Sequence, residues 1–274
     1  MTGAPGWSSR DIDYTKPSVA RVYDYYLGGS HNFESDRLFG EQALKAMPHL
    51  PTILRDNRAF LRRVVRHLTA AGVDQFLDLG SGIPTVGNVH EVAQEVNPQA
   101  RIVYVDHDPV AIAHSHSLLD GNGRATAISA DIRNPRQVVA DAVATGLLDL
   151  DRPVAVLLIA VLHFVHDHDD PAGIIAGYVD RVAPGSHVAI SHARADGQAA
   201  LRDAAKVYDQ DTSPNSMRLR TAAEVQELFG DLTMVPPGVV LLPRWHPEQG
   251  DDPDEKAADV PDDYPGLAGL ARRD

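Results

Sequence analysis

Gln75-Phe76-Leu77-Asp78-Leu79-Gly80-Ser81-Gly82-Ile83-Pro84-Thr85 is the stretch on which the fold turns. A short apolar strand ends in Asp-x-Gly-x-Gly, and a helix is expected soon after it. Gly80 and Gly82 let backbone approach a ligand where a side chain would stand in the way. A phosphate-binding loop of the dinucleotide type has a third glycine at the position that Thr85 occupies here. Asp78 sets a carboxylate just ahead of the glycines. A carboxylate there repels a pyrophosphate and suits a ligand that carries an ammonium group and no phosphate.

Two further acids follow at strand ends. Val103-Tyr104-Val105-Asp106-His107-Asp108-Pro109 closes the next apolar run. A carboxylate at that place can accept from both hydroxyls of a ribose. Asp106 is the candidate for that role, with His107 beside it. Asp108 before Pro109 reads as a helix N-cap followed by proline in the first turn. Ala130-Asp131-Ile132 ends a third run; its acid can accept from an adenine amino group, with Ile132 against the ring. Asp78, Asp106 and Asp131 would all lie on the carboxyl edge, where open α/β sheets bind ligands.

Outward from this centre the apolar pattern changes period. Before Val73 it is helical. Val19, Val22, Tyr23, Tyr26 and Leu27 form one face of a short helix that Gly28 and Gly29 end. Helices are expected over Asp36 to Met47 and from about Thr52 to Ala71. From Val73 on, strands (Val73–Leu79, Ile102–Val105, Thr126–Ser129, Val154–Leu162, His187–Ser191) alternate with helices near 85–96, 109–119, 135–144 and 171–183. That alternation predicts right-handed βαβ units around a parallel sheet. Further helices are expected over 195–208 and 221–229, a strand over Thr233 to Leu242, and a last, shorter one over Leu267 to Ala271.

The glycine loop with its acids resembles the class I S-adenosylmethionine-dependent methyltransferases. The likeness is closer to one family common in actinomycetes. It is carried by Ala20-Arg21-Val22-Tyr23-Asp24-Tyr25-Tyr26-Leu27-Gly28-Gly29, by Asn57-Arg58-Ala59-Phe60-Leu61-Arg62-Arg63, by Pro84-Thr85, by His90-Glu91 and by Tyr104 to Pro109. The resemblance implies a Rossmann-like, doubly wound α/β fold. It implies a mainly parallel seven-stranded sheet with its last strand antiparallel, and S-adenosyl-L-methionine as the cofactor. The expected organisation is a flexible tail (1–16), an N-terminal helical lid (17–72) and a methyltransferase domain (73–274). The expected cofactor contacts are Asp78, Gly80, Ser81, Gly82, Pro84, Asp106, His107, Asp131, Ile132, Tyr23 and Arg58. Tyr26 and Asn32 are expected at a substrate pocket.

Methyl transfer asks an enzyme chiefly to align donor and acceptor and to exclude water. A base is needed only where the acceptor must lose a proton. His163, in the segment after the fourth strand, is the catalytic candidate. No metal site is expected from His163, His166, His168 and Asp169, which lack a helical frame. The expected function is methyl transfer to a small-molecule acceptor. The alternative is a non-catalytic S-adenosylmethionine-binding or regulatory protein. An acceptor-sized cavity lined by Tyr23, Tyr26 and His163 separates the two readings: open, it favours the enzyme; filled, the binder.

Composition bounds these readings. The chain has 274 residues, 43% of them hydrophobic, which is ample for a core. It has no cysteine, so disulfides, thiolate zinc sites and a catalytic thiol are excluded. The longest apolar run, Val154 to Leu162, is half a membrane span, and the N-terminus lacks a signal-type apolar region. A cytoplasmic protein without a membrane partner is expected. The net charge is −13, and residues 248–263 hold eight acids against one base, Lys256. That stretch reads as a solvated, mobile loop, and the overall charge disfavours nucleic acid as a partner.

Overall fold

The structure is a computed structural model that describes residues 13–85, 87–209, 216–247 and 260–274. Three helices come first: α1 (Val19–Tyr26), α2 (Glu34–Ala46) and α3 (Leu50–Ala70). Alternation follows: β1 (Gln75–Leu79), α4 (Val89–Val96), β2 (Arg101–Asp106), α5 (Pro109–Leu118), β3 (Ala125–Ser129), α6 (Pro135–Ala144), β4 (Ala155–Ile159), α7 (Pro171–Val179) and β5 (His187–Ala193). The chain ends with α8 (Ala199–Asp209), α9 (Ala222–Glu227), β6 (Thr233–Met234), β7 (Val240–Leu241) and β8 (Gly266–Arg272).

The sheet runs β3-β2-β1-β4-β5-β8-β6, with β7 paired to β8 off this path. Strands β1 to β5 are parallel, and β8 lies antiparallel to β5. The path thus has the seven strands and the antiparallel last strand that the resemblance implies, and β7 is an eighth, two-residue addition. β1 is buried at all five positions because helices cover both faces. Phe60, Leu61, Val64, Val65 and Leu68 of α3 belong to the same core as β1, β2 and β4. Among the described residues, no helix is long and apolar enough to cross a membrane.

Three boundaries differ from the sequence reading. The strand expected over Thr233 to Leu242 is two short strands. Pro236-Pro237 cannot donate to a ladder, and Gly238, at φ +84°, turns the chain between them. The strand expected over Val154 to Leu162 stops at Ile159. Ala160 takes φ +55°, and Leu162–Phe164 form a 3-10 turn whose leucine is fully buried, so the apolar run outlasts the strand. β8 covers seven residues and is the long inserted strand rather than a short terminal one. Of the acidic stretch, residues 248–259 lie outside the described residues; Asp262 accepts from Arg244 at 2.9 Å. Of the expected tail, residues 1–12 lie outside them, and Tyr14 meets Phe33 edge-on at 4.7 Å.

Arg63 ties α3 to the segment before β8. It is 1% exposed and donates to the carbonyls of Leu242 and Trp245, each at 2.8 Å. Trp245 is itself fully buried, with its ring 5.3 Å from that of Phe60. Arg63→Met would keep the volume and strand both carbonyls. Losing bonds from a charged donor should cost roughly 2–5 kcal/mol, read as a lower urea midpoint. An unchanged midpoint would remove Arg63 as the tie.

Candidate active site

The carboxyl edge of the sheet is built around the turn after β1. Gly80 stands at φ +71°, and a Cβ there would lie 2.4 Å from Val161 Cγ2. Only glycine allows the loops after β1 and β4 to touch in this way. Gly80 and Ser81 N–H both donate to the Val105 carbonyl at 2.8 and 3.1 Å. Gly82 N–H donates to Asp106 Oδ2 at 2.7 Å, and Asp108 N–H to Asp106 Oδ1 at 2.8 Å. The Asp106 carboxylate thus joins the glycine loop to the turn before α5. Asp108 caps α5 through Val110 N–H (2.7 Å) and also accepts from the Ser18 hydroxyl.

These elements wall a cavity of about 800 Å³. Asp78, Gly80, Ser81, Gly82 and Asp106 line one side of it. His107, Asp131, Ile132, Arg58 and Tyr23 also line it. Thr15 to Ala20 complete the lining, and Arg21 ties down this segment. That guanidinium is buried and donates to Asp36 Oδ2 (2.8 Å) and to the Lys16 carbonyl (2.6 Å), with Asp108 3.8 Å away. Two expected residues lie elsewhere. Pro84 does not line the cavity, although Ile83 and Thr85 on either side do. Asn32 is turned into the bend after α1, where its amide donates to Asp24 Oδ2 and the Gly29 carbonyl, both at 2.9 Å. It reaches neither this cavity nor the next, and the substrate-pocket expectation for it is corrected.

Burial dominates the electrostatics. Asp78 is 6% exposed and its carboxyl is pushed up to about 7 by loss of water; Arg58 opposes the shift and Asp106 adds to it. Among the described residues no hydrogen bond engages the Asp78 carboxylate. Arg58 donates to the Gly87 carbonyl at 3.1 Å, while its Nε is buried without a partner. Asp106 is also raised by burial, against its backbone bonds. Asp131 differs: it is partly exposed and is lowered by its hydrogen bonds from Arg133, at 2.7–3.0 Å.

A second cavity of about 90 Å³ adjoins the first, with Val19, Tyr23, Asn57, Ala160 and Phe164 lining both. A buried chain of hydrogen bonds runs through this shared wall. Ala160 N–H donates to Ser191 Oγ (2.8 Å), Ser191 to Asn57 Oδ1 (2.6 Å), and Asn57 Nδ2 to the Tyr23 hydroxyl (3.0 Å). Tyr26 and His163 lie on the second cavity, not the first. Tyr26 meets Tyr208 hydroxyl to hydroxyl at 3.1 Å. His163 is 8% exposed and held well below the usual imidazole range by burial, with His192 and Arg220 adding to it. His192, at about 4, gives Nδ1–H to its neighbour's carbonyl and accepts from Arg220 at Nε2.

Comparison with known proteins decides the family. Residues 5–274 match a family of S-adenosyl methyltransferases. The chain belongs to this family. A Thermobifida fusca protein provisionally assigned as a methyltransferase, solved at 1.95 Å resolution, is similar at 38% identity with a TM-score of 0.87. That match covers 98% of this chain and 99% of that one. A DUF574 family protein from Streptomyces avermitilis is similar at 37% identity with a TM-score of 0.88, over 96% and 99% of the two chains. No curated protein matches. The protein is an S-adenosylmethionine-dependent methyltransferase, and S-adenosyl-L-methionine is its cofactor.

Sequence reading did not place Asn57 on a cavity wall, and it passed over Ser191, His192 and Arg220 altogether. Asn57 carried a signal: it is an amide on an otherwise apolar helix face. Arg220 carried none, because its partners Leu162, Val165 and Asp167 come together only in the fold.

The raised Asp78 contributes to the pH response of the ligand-free methyltransferase. Its folded value, about 7, lies well above the ordinary 3.8. Between these values the folded state keeps a proton that the unfolded chain has released, so stability falls as pH rises. At about 1.4 kcal/mol per unit the loss is on the order of 3 kcal/mol between pH 5 and 8. Urea unfolding of Asp78→Asn should show that much less decline than the parent. Parallel declines would place the Asp78 value in the ordinary range.

Proposed function

We propose that the enzyme transfers its methyl group to a small-molecule acceptor. In this reading the donor occupies the larger cavity and the acceptor the smaller. The observation that carries it is the shared wall at Tyr23, Asn57, Ala160 and Phe164, which gives two ligands one boundary. An open second cavity lined by Tyr23, Tyr26 and His163 favours an enzyme over a protein that only holds the cofactor.

The residues present fit the cofactor. Asp78, buried and without a hydrogen bond, would supply a counter-charge for its ammonium group, and Arg58, on the same cavity, one for its carboxylate. Asp106 keeps lone pairs for two ribose hydroxyls beyond the bonds it makes to Gly82 and Asp108. Asp131 accepts from the adenine amino group while Arg133 holds it in place, and Ile132 covers the ring. Gly80, Ser81 and Gly82 present bare backbone, and His107 closes the outer rim. When bound, the cofactor supplies an electrophilic methyl group on a sulfonium centre. Tyr23 and the segment 15–20 then exclude water, which matters because water competes as an acceptor. The helical N-terminus, 17–72, serves in this reading as the cover of the donor. Where the acceptor must lose a proton, His163 is the candidate to receive it at a ring nitrogen; burial keeps that ring neutral, which leaves it free to accept a hydrogen bond but makes it a weak base.

Incubation with methyl-labelled cofactor and a cell extract tests the acceptor class. Label is expected in the small-molecule fraction. Label confined to precipitated protein or nucleic acid would overturn the proposal. For the donor site, Asp106→Ala should weaken S-adenosylhomocysteine binding by roughly 1.5–3 kcal/mol in calorimetry. Equal affinity would take Asp106 out of the ribose role.

A further inference from the structure

The second cavity has an unusual polar balance. No aspartate, glutamate, lysine or arginine lines it among the described residues. Its polar side chains are Tyr23, Tyr26, Tyr208, Asn57, Ser191 and two histidines. Nearly all their hydrogen-bonding capacity is spent internally. Tyr23, Asn57 and Ser191 form the wall network with Ala160 N–H and the Leu54 carbonyl. Both nitrogens of His192 are engaged, by the Ala193 carbonyl and by Arg220. The Tyr26 and Tyr208 hydroxyls bond each other, which uses one of their two protons.

His163 is the exception. No hydrogen bond among the described residues engages its ring, and Nδ1 is wholly enclosed without a partner. That leaves Nε2 as the nitrogen a ligand can reach. A polar side chain 92% buried and unpaired is costly unless something completes it. Around it the walls are aromatic and thioether: Phe164, Tyr26, Tyr208 and Met217. A dry cavity of roughly 150 Å³ takes one benzene, so a volume of about 90 Å³ sets one small ring as the upper limit, seated with some adjustment of the walls. Neither a cation nor an anion would find a counter-charge there, and burying either unpaired is prohibitive.

We propose that this cavity selects an uncharged, single-ring alcohol of the phenol class, whose hydroxyl pairs with His163 Nε2 while the ring packs among Phe164, Tyr26, Tyr208 and Met217. The inference rests on the acceptor reading of this cavity and names the chemistry it admits. His163 then acts on specificity by direct contact: as the acceptor of the hydroxyl's hydrogen bond it orients the oxygen toward the wall shared with the donor cavity. The remaining proton of the Tyr26–Tyr208 pair can serve one further carbonyl or hydroxyl on the ring.

Calorimetric binding of phenol, benzene, benzoate and benzylamine at pH 7.5, to the free protein and to the protein saturated with S-adenosylhomocysteine, tests this. Phenol should bind at least tenfold more tightly than the other three in at least one of the two forms. His163→Phe should abolish the preference of phenol over benzene, and His163→Gln should restore part of it. Ala204→Leu, which fills the cavity from α8, should weaken phenol without changing S-adenosylhomocysteine binding. Benzoate or benzylamine binding as tightly as phenol, no phenol binding in either form, or an intact preference in His163→Phe would overturn the proposal. The two readings fail separately. Phenol held as described while label never enters small molecules would sink the acceptor reading alone. Label in small molecules without phenol selectivity would sink this one alone.

Discussion

The close approach of Gly80 to Val161 is the constraint on which the site depends. β1 and β4 are neighbours in the sheet, and each sends a loop over the same carboxyl edge. A side chain at position 80 would push the loops apart, since its Cβ would overlap the valine. With glycine there, the loop after β1 lies low enough for Gly82 N–H to reach Asp106. The loop after β4 is held close enough for Ala160 and Phe164 to wall both cavities. One missing methyl group therefore sets the spacing of the two cavities.

The protein also buries several charges, and it completes them in different ways. Arg63 and Arg220 are completed by backbone carbonyls, and Arg220 also by Asp167. Arg21 is completed by Asp36 and a carbonyl, which fastens the start of α1 across the larger cavity. Asp78 is left without such completion and shifts toward its neutral form. A fold can tolerate an incomplete charge only where a ligand or a proton finishes it. The contrast between Arg21 and Asp78 thus separates a charge completed inside the protein from one that is not. The histidines of the smaller cavity repeat the pattern in neutral form: His192 is satisfied and His163 is not.

Much of this was legible in the sequence. The short apolar runs and the period-3.6 stretches located the βα units, and the Asp-x-Gly-x-Gly turn with Asp106 and Asp131 marked the carboxyl edge of the sheet. Those signals are local: a strand end, a tight turn and a helix cap each depend on a few consecutive residues. Errors came where burial, not strand geometry, kept residues apolar, as at Leu162, and where Pro236-Pro237 interrupted a run that composition alone read as continuous. Asn32 was misplaced because it follows a helix that does touch the cavity, while its own amide is used by the turn.

The smaller cavity belongs to the tertiary structure. Its network joins Asn57 to Ser191 across 134 residues and Tyr26 to Tyr208 across 182. No local pattern encodes such pairings, because each partner taken alone reads as an ordinary core polar residue. Sequence by itself determined the alternation of strands and helices, the glycine turn and the acids that edge the larger cavity, since all are short-range consequences of backbone and side-chain chemistry. Only the packing of α1, α3, α8 and β5 against one another decided which polar groups spend their hydrogen bonds inside the protein and which, His163 among them, remain for a ligand.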